Sequence, residues 1–233
     1  MIPITLSPIS ESALVCTLPP PAELGKQQRL WAFAEAAAAL PGVLETVAGM
    51  NNLTVFALPD TDLNRLSDGL KNLWPHIKAD THQGRHVDIP VRYGGEFGAD
   101  LAEVAAFHRT TPAEIVRRHT APVYTVFMMG FQPGFPYLGG LPEHLHTPRR
   151  AEPRTEVPAG SVGIGGSQTG VYPFASPGGW QLIGRTDAPL WSLDRQPPLR
   201  LDTGGRVRFR AVRERVFEAF GVTLVPEIGR AHV

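Results

Sequence analysis

The sequence has a single cysteine, Cys16, in 233 residues, which excludes an intramolecular disulfide. It also lacks a surplus of either charge: 22 Lys and Arg stand against 22 Asp and Glu. A chain so balanced has no general attraction for nucleic acid or for an acidic membrane surface, so neither is expected as a partner. No apolar run reaches the ~18 residues of a membrane-crossing helix. The opening stretch MIPITLSPISESALV lacks the basic segment and long apolar core of a secretory signal. The expectation is a cytoplasmic chain. Ligands for a metal are equally sparse. HExxH is absent, and His144, His146 and the pair His82 and His86 have no carboxylate or thiol at a known ligand spacing. No metal site is expected.

What is present is an ordinary globular composition, 42% apolar and 19% charged, long enough for two domains. Residues 1–85 alternate in type. Ser12–Pro19 reads as a strand that buries Cys16 as a small hydrophobe. Glu23–Leu40 repeats Leu30, Phe33, Ala34, Ala37 and Leu40 at helical spacing. A hairpin follows, with Asn51 and Asn52 at its turn, because asparagine tolerates the positive φ such turns need. Thr61–Trp74 is a second helix, capped by Asp60 or Thr61, and Arg85–Tyr93 is again a strand. The order β-α-β-β-α-β predicts an α+β ferredoxin-like sandwich. The polar stretch Lys78–His86 reads as the hinge before a second domain over 86–233. There, two short helices, the second with Thr111 as cap and Pro112 at its first position, lead to a continuous apolar strand, Ala121–Phe131. Short apolar stretches broken by Gly and Pro then predict a mainly-β barrel or sandwich.

The run Val157–Thr186, VPAGSVGIGGSQTGVYPFASPGGWQLIGRT, holds eight glycines, yet no Asp, Glu, His or Lys. It is not a P-loop, because the lysine is missing after Gly170, and it is not a dinucleotide fingerprint, because Gln168 takes the third glycine's place. Ser161 sits in a near-match to a nucleophile elbow, but Ala159 replaces the first glycine and no helix follows. A flexible linker is excluded by the interleaved Val, Ile, Tyr, Phe and Trp, which need a core. Glycine at this density among β-formers marks corners or the close approach of backbone to another group. Polar side chains cluster around it. Ser161, Gln168, Tyr172 and Ser176 lie inside the run with Arg185 at its end, Arg149, Arg150 and Arg154 precede it, and Gln132 and Tyr137 lie earlier in GFQPGFPYLGGLP. Guanidinium, amide and hydroxyl groups suit a carboxylate, a phosphate or a planar amide. No general base is evident.

The ordered words GFQPGFPYLGGLP, PRRAEPRTEVPAGSVGIGG and QTGVYPFASPGGWQLIGRT resemble those of the B-subunit family of bacterial 5-oxoprolinases. Members of that family have also been labelled allophanate hydrolase subunit 1, and the words are similar to part of the carboxyltransferase domain of urea carboxylase. The resemblance implies an N-terminal α+β domain and a C-terminal cyclophilin-like barrel. It implies an ATP-dependent hydrolase of three different proteins that opens 5-oxo-L-proline to L-glutamate. This chain would pair directly with the C subunit of 5-oxoprolinase and act with its A subunit, the ATP site lying on a partner or shared with it. Arg149, Arg154, Ser161, Gln168, Tyr172, Ser176, Arg185, Gln132 and Tyr137 would then bind substrate. One branch of the family implies another role, inhibition of a histidine kinase, and an allophanate- or urea-type amide-hydrolysing system is a third. The barrel alone does not imply prolyl isomerase activity.

Overall fold

The computed structural model describes residues 2–79 and 84–212, which fall into two compact units, Met1–His82 and Gln83–Val233. The hinge expected over Lys78–His86 lies in part on residues 80–83, outside the described residues, as does His82.

The first unit is a four-stranded antiparallel sheet in the order β1-β2-β4-β3, with strands Thr5–Ser10, Ala13–Thr17, Val43–Ala48 (β3) and Asn52–Ala57 (β4). Helices α1 (Leu24–Ala38) and α2 (Leu63–Leu73) supply the other half of the core. Leu30, Phe33 and Ala37 recur every three or four residues and are fully buried, as the helical spacing predicts. Leu14 and Cys16 of β2 meet them, with Leu53 and Val55 of β4. Burial pushes the Cys16 thiol up to about 12, so it behaves as a small hydrophobe. Asn51 holds φ +62 at the β3–β4 turn. The buried Gln27 of α1 locks that turn, donating to Gly49 O and accepting from Asn51 N–H.

Two expectations are corrected here. Arg85–Tyr93 is not the sheet's last strand: the position beside β2 belongs to β1, and β5 (His86–Tyr93) pairs in the second unit. The connectivity is therefore β-β-α-β-β-α. The sequence of β1 hid it, since Pro8 and five exposed positions break the usual alternation, as suits an edge strand. The α2 cap is Asp62 rather than Asp60 or Thr61, its carboxylate accepting from Asn64 and Arg65 N–H.

The second unit is a closed barrel in the order β10-β7-β6-β13-β5-β12-β9. Its strands are β5, β6 (Tyr124–Met129), β7 (Pro136–Gly139), β9 (Ser161–Gly165), β10 (Gln168–Val171), β12 (Gln181–Arg185) and β13 (Arg206–Ala211). β5 and β13 run parallel and the other neighbours antiparallel. Strands β8 (Arg154–Val157) and β11 (Ser176–Gly178) form a separate ribbon. Helices α3 (Leu101–Phe107) and α4 (Pro112–Thr120) pack on each other. Thr111 caps α4 through Glu114 N–H, with Pro112 at its first position.

The barrel's apolar core includes Ile89, Val91, Val126, Leu138, Val162, Ile164, Val171, Ile183 and Phe209. One polar chain crosses it. Thr169 Oγ1 donates to Gly163 O at 2.9 Å, so it accepts from His119 Nε2 at 2.9 Å. His119 Nδ1 is then free to accept from the Tyr93 hydroxyl at 2.8 Å. His119 is fully buried and stacked on Phe209, its ring centroid 4.6 Å away. Burial holds its pKa down to about 3.

Candidate functional site

The glycine-rich run builds β9, β10, β11 and β12, and its glycines are seats for rings. Successive residues of a strand face opposite sides. Val162, Ile164, Thr169 and Val171 turn inward, which leaves Gly163, Gly165 and Gly170 on the outside. Trp180 lies there: a Cβ on Gly165 would stand 2.5 Å from its Nε1, and one on Gly170 3.1 Å from its ring. A Cβ on Gly178 would stand 2.5 Å from the Tyr172 hydroxyl. Glycine is needed here for close approach, not for flexibility.

Around Trp180 gather Phe135, Tyr137 and Tyr172, all ring to ring at centroid distances of 4.9–6.3 Å. Phe131 sits at the edge, 60% exposed, its ring edge-on to Phe135 and Tyr172. Its φ of +66 is a strained value for a bulky residue, and such strain concentrates at functional sites. Burial raises the Tyr172 and Tyr137 hydroxyl pKa values; Arg149 pulls each the other way.

The structure brings most of the residues expected from the sequence to this patch. The Arg149 guanidinium stands 5.8 Å from the Trp180 ring centroid. Arg154 begins β8, in register with Gly178. Ser176 pairs with Val157 of the same cluster, and its buried hydroxyl has no partner among the described residues. Gln132 follows Phe131, with its buried Oε1 likewise unpartnered. Gln168 pairs with Gly165, against whose outer face Trp180 lies. Ser161 is 2% exposed on the outward side of β9, its carbonyl accepting from Tyr172 N–H. The chain then enters a hairpin, not a helix, so Ser161 is no elbow nucleophile. Arg185 goes elsewhere: its guanidinium lies 4.9 Å from the Phe97 ring, which Arg92 also covers at 3.9 Å.

The sequence reading missed Asp100, which is buried just before α3. It accepts from Arg154 Nη2 (2.6 Å), Arg150 Nη1 (3.2 Å) and Leu182 N–H (2.6 Å). Beside this group opens a groove of about 520 Å³, lined by Glu103 and Phe107 of α3 and by Thr147, Arg149, Arg150 and Gln181. Among the described residues no group of three or more metal-ligating side chains occurs, and no helix is long and apolar enough to cross a membrane. His146 Nε2 donates to Leu141 O and His86 lies 3.2 Å from Asp88.

Residues 4–201 match the family described as carboxyltransferase domain, subdomains C and D. The chain is 57% identical to the B subunit of 5-oxoprolinase from Haemophilus influenzae over 88% of its length and 97% of that protein's. It is 49% identical to the B subunit of 5-oxoprolinase from Escherichia coli O157:H7, over 89% of this chain and 96% of that one. Among solved structures it resembles TTHA0988 at a TM-score of 0.71 and 35% identity, over 87% of this chain but only 40% of that longer one. The urea carboxylase of Kluyveromyces lactis shares the fold at a TM-score of 0.75 and 17% identity, over 90% of this chain and 22% of that one. The matching words in the glycine-rich run and the match over nearly the whole chain agree: this protein belongs to the family of 5-oxoprolinase B subunits, built on carboxyltransferase subdomains C and D.

Proposed function

We propose that the chain is the B subunit of a cytoplasmic 5-oxoprolinase, which opens the lactam of 5-oxo-L-proline to L-glutamate with hydrolysis of ATP. It pairs directly with the C subunit of that enzyme and works with its A subunit. In this reading the domains divide near residue 85, and the second is a barrel of the cyclophilin-like kind. Family membership supports the activity. One observation supports the role of this chain within it: the patch around Trp180 gathers arginines, amides and hydroxyls on and beside a run that has no Asp, Glu, His or Lys.

A lactam is a weak electrophile. ATP supplies the phosphoryl group that turns its oxygen into a better leaving group. The glycine run does not fit a phosphate cradle, because Gly160 N–H donates to Tyr172 O and Gly166 N–H to Thr147 O, and no lysine follows it. In this reading the ATP site lies on a partner or on ground shared with it. This chain binds and orients. Arg149 and Arg154 hold oxygen anions, Tyr137, Tyr172, Gln132, Gln168 and Ser176 offer further hydrogen bonds, and the rings exclude water. Proton transfer belongs to another protein of the complex. Ser161 and Arg185 stay outside the contact set, the first buried and the second committed to Phe97.

The test is substitution in the complex rebuilt from its three proteins. Arg149→Ala and Arg154→Ala should each lower ATP-coupled glutamate release by about tenfold or more, the loss of one charge-assisted contact, while size-exclusion profiles stay unchanged. Full turnover by both variants in an intact complex would remove the arginines from the site.

A further inference from the structure

Asp100 is a single carboxylate serving two guanidiniums. Its side chain is 3% exposed, while those of Arg150 and Arg154 are 32% and 22% exposed. Oδ1 takes a hydrogen bond from each arginine, and Oδ2 is held by the Leu182 amide. This fixes both guanidiniums around one oxygen atom and leaves one positive charge in excess.

The donors tell the same story. A guanidinium presents five N–H groups in a rigid fork and accepts nothing. Arg154 Nη1 and Arg150 Nε are buried without a hydrogen-bond partner among the described residues. Buried unpaired donors are rare in folded proteins and point to a missing acceptor. No ion pair within the described residues supplies it: Glu103 and Glu152, which line the same groove, are exposed to water and pair with neither arginine. Arg150 itself lines the groove, so an acceptor can arrive from that side.

We propose that Arg150 and Arg154 form a clamp for a small oxyanion, a carboxylate or a phosphate group, and that Asp100 is the positioning residue that locks the clamp. The ligand's oxygens take the N–H groups that Asp100 leaves unused. Asp100 never touches the ligand. It sets the two forks at a fixed spacing, so that little side-chain freedom is lost on binding. The clamp adds Arg150 and Asp100 to the site proposed above and rests on that reading only for its link to turnover.

The test is calorimetric titration of the full chain at low ionic strength with sodium phosphate and with sodium acetate, sodium chloride serving as control. Saturable binding of phosphate or acetate, but not of chloride, is expected. Tighter phosphate binding identifies a phosphate group as the ligand, tighter acetate binding a carboxylate. Arg150→Ala and Arg154→Ala should weaken it by about tenfold or more, and the exposed Arg65→Ala in the first unit should not. Asp100→Asn, which keeps an acceptor for Leu182, should weaken it similarly when measured well below the variant's own melting temperature; a purely structural Asp100 would lower the melting temperature and leave the affinity of the folded variant alone. Should Asp100→Asn fail to fold, Arg154→Lys carries the test, since it keeps the charge and loses the fork. No saturable binding by the wild type, or equal binding by both arginine-to-alanine variants, overturns the clamp. Loss of binding with full turnover in the complex leaves the clamp standing and removes it from the reaction. Loss of turnover with binding intact overturns it.

Discussion

His119 has no exposed surface, and its two ring nitrogens and one ring face are all engaged, by Tyr93, Thr169 and Phe209. Such a histidine is a structural base kept neutral. Burial sets its pKa at about 3, below the ordinary value of 6.5. The unfolded chain therefore binds the extra proton first. The stability this residue contributes is complete above pH 6.5 and is lost as pH falls toward about 3. The urea midpoint of the wild type should fall across that window. His119→Gln, which cannot titrate, should be less steep there and weaker at pH 7.5 by about 1–3 kcal/mol, the cost of an unmet buried hydrogen bond. Identical pH profiles would show that His119 does not carry this dependence. At this scale the sequence was legible where the rule is local. Asn51 at a positive φ and Thr111 with Pro112 at a helix start follow from the residue and its immediate neighbours. Asp100 was not legible, because its partners lie 50, 54 and 82 residues away and nothing in the sequence joins them.

The strands β9 and β10 show how an element with almost no reactive groups shapes a site. Their inward residues fill the barrel, and their outward glycines leave bare backbone on which Trp180 rests. Trp180 in turn carries Arg149 and borders Tyr137 and Tyr172. A methyl group on Gly165 cannot coexist with the indole where it stands, because both the Nε1 and the ring carbons lie within 2.6 Å of the added atom. Gly165→Ala should therefore push Trp180 off its seat, costing about 1–3 kcal/mol as overpacking does, and should shift the tryptophan fluorescence. Unchanged stability and spectrum would mean that the ring moves freely there. The glycines announced close approach in the sequence, but not which ring approaches. The helices and the strands β2 to β6 were readable from local pattern. The edge strand β1 was not, because exposed positions and a proline erase the alternation that marks a half-buried strand.

At the scale of the molecule, pairing between distant segments decided what the sequence could not. β5 follows the first unit directly, yet its parallel partner is β13, with Arg206 opposite His86 and Ala211 opposite Val91. Local pattern identifies both as strands and says nothing of the barrel that joins them. The run between them supplies the remaining barrel strands, the ribbon and the arginines, so every group of the proposed site lies in the second unit. The relatives at 57% and 49% identity are named as subunits, and the reading in which this chain orients while a partner moves the proton is in keeping with that. The most direct measurement is glutamate release from 5-oxo-L-proline and ATP by the three purified proteins, repeated with each omitted in turn. ATP-coupled turnover is expected with all three and none when this chain is left out; turnover that persists without it would overturn the assignment of this chain as a subunit of the enzyme.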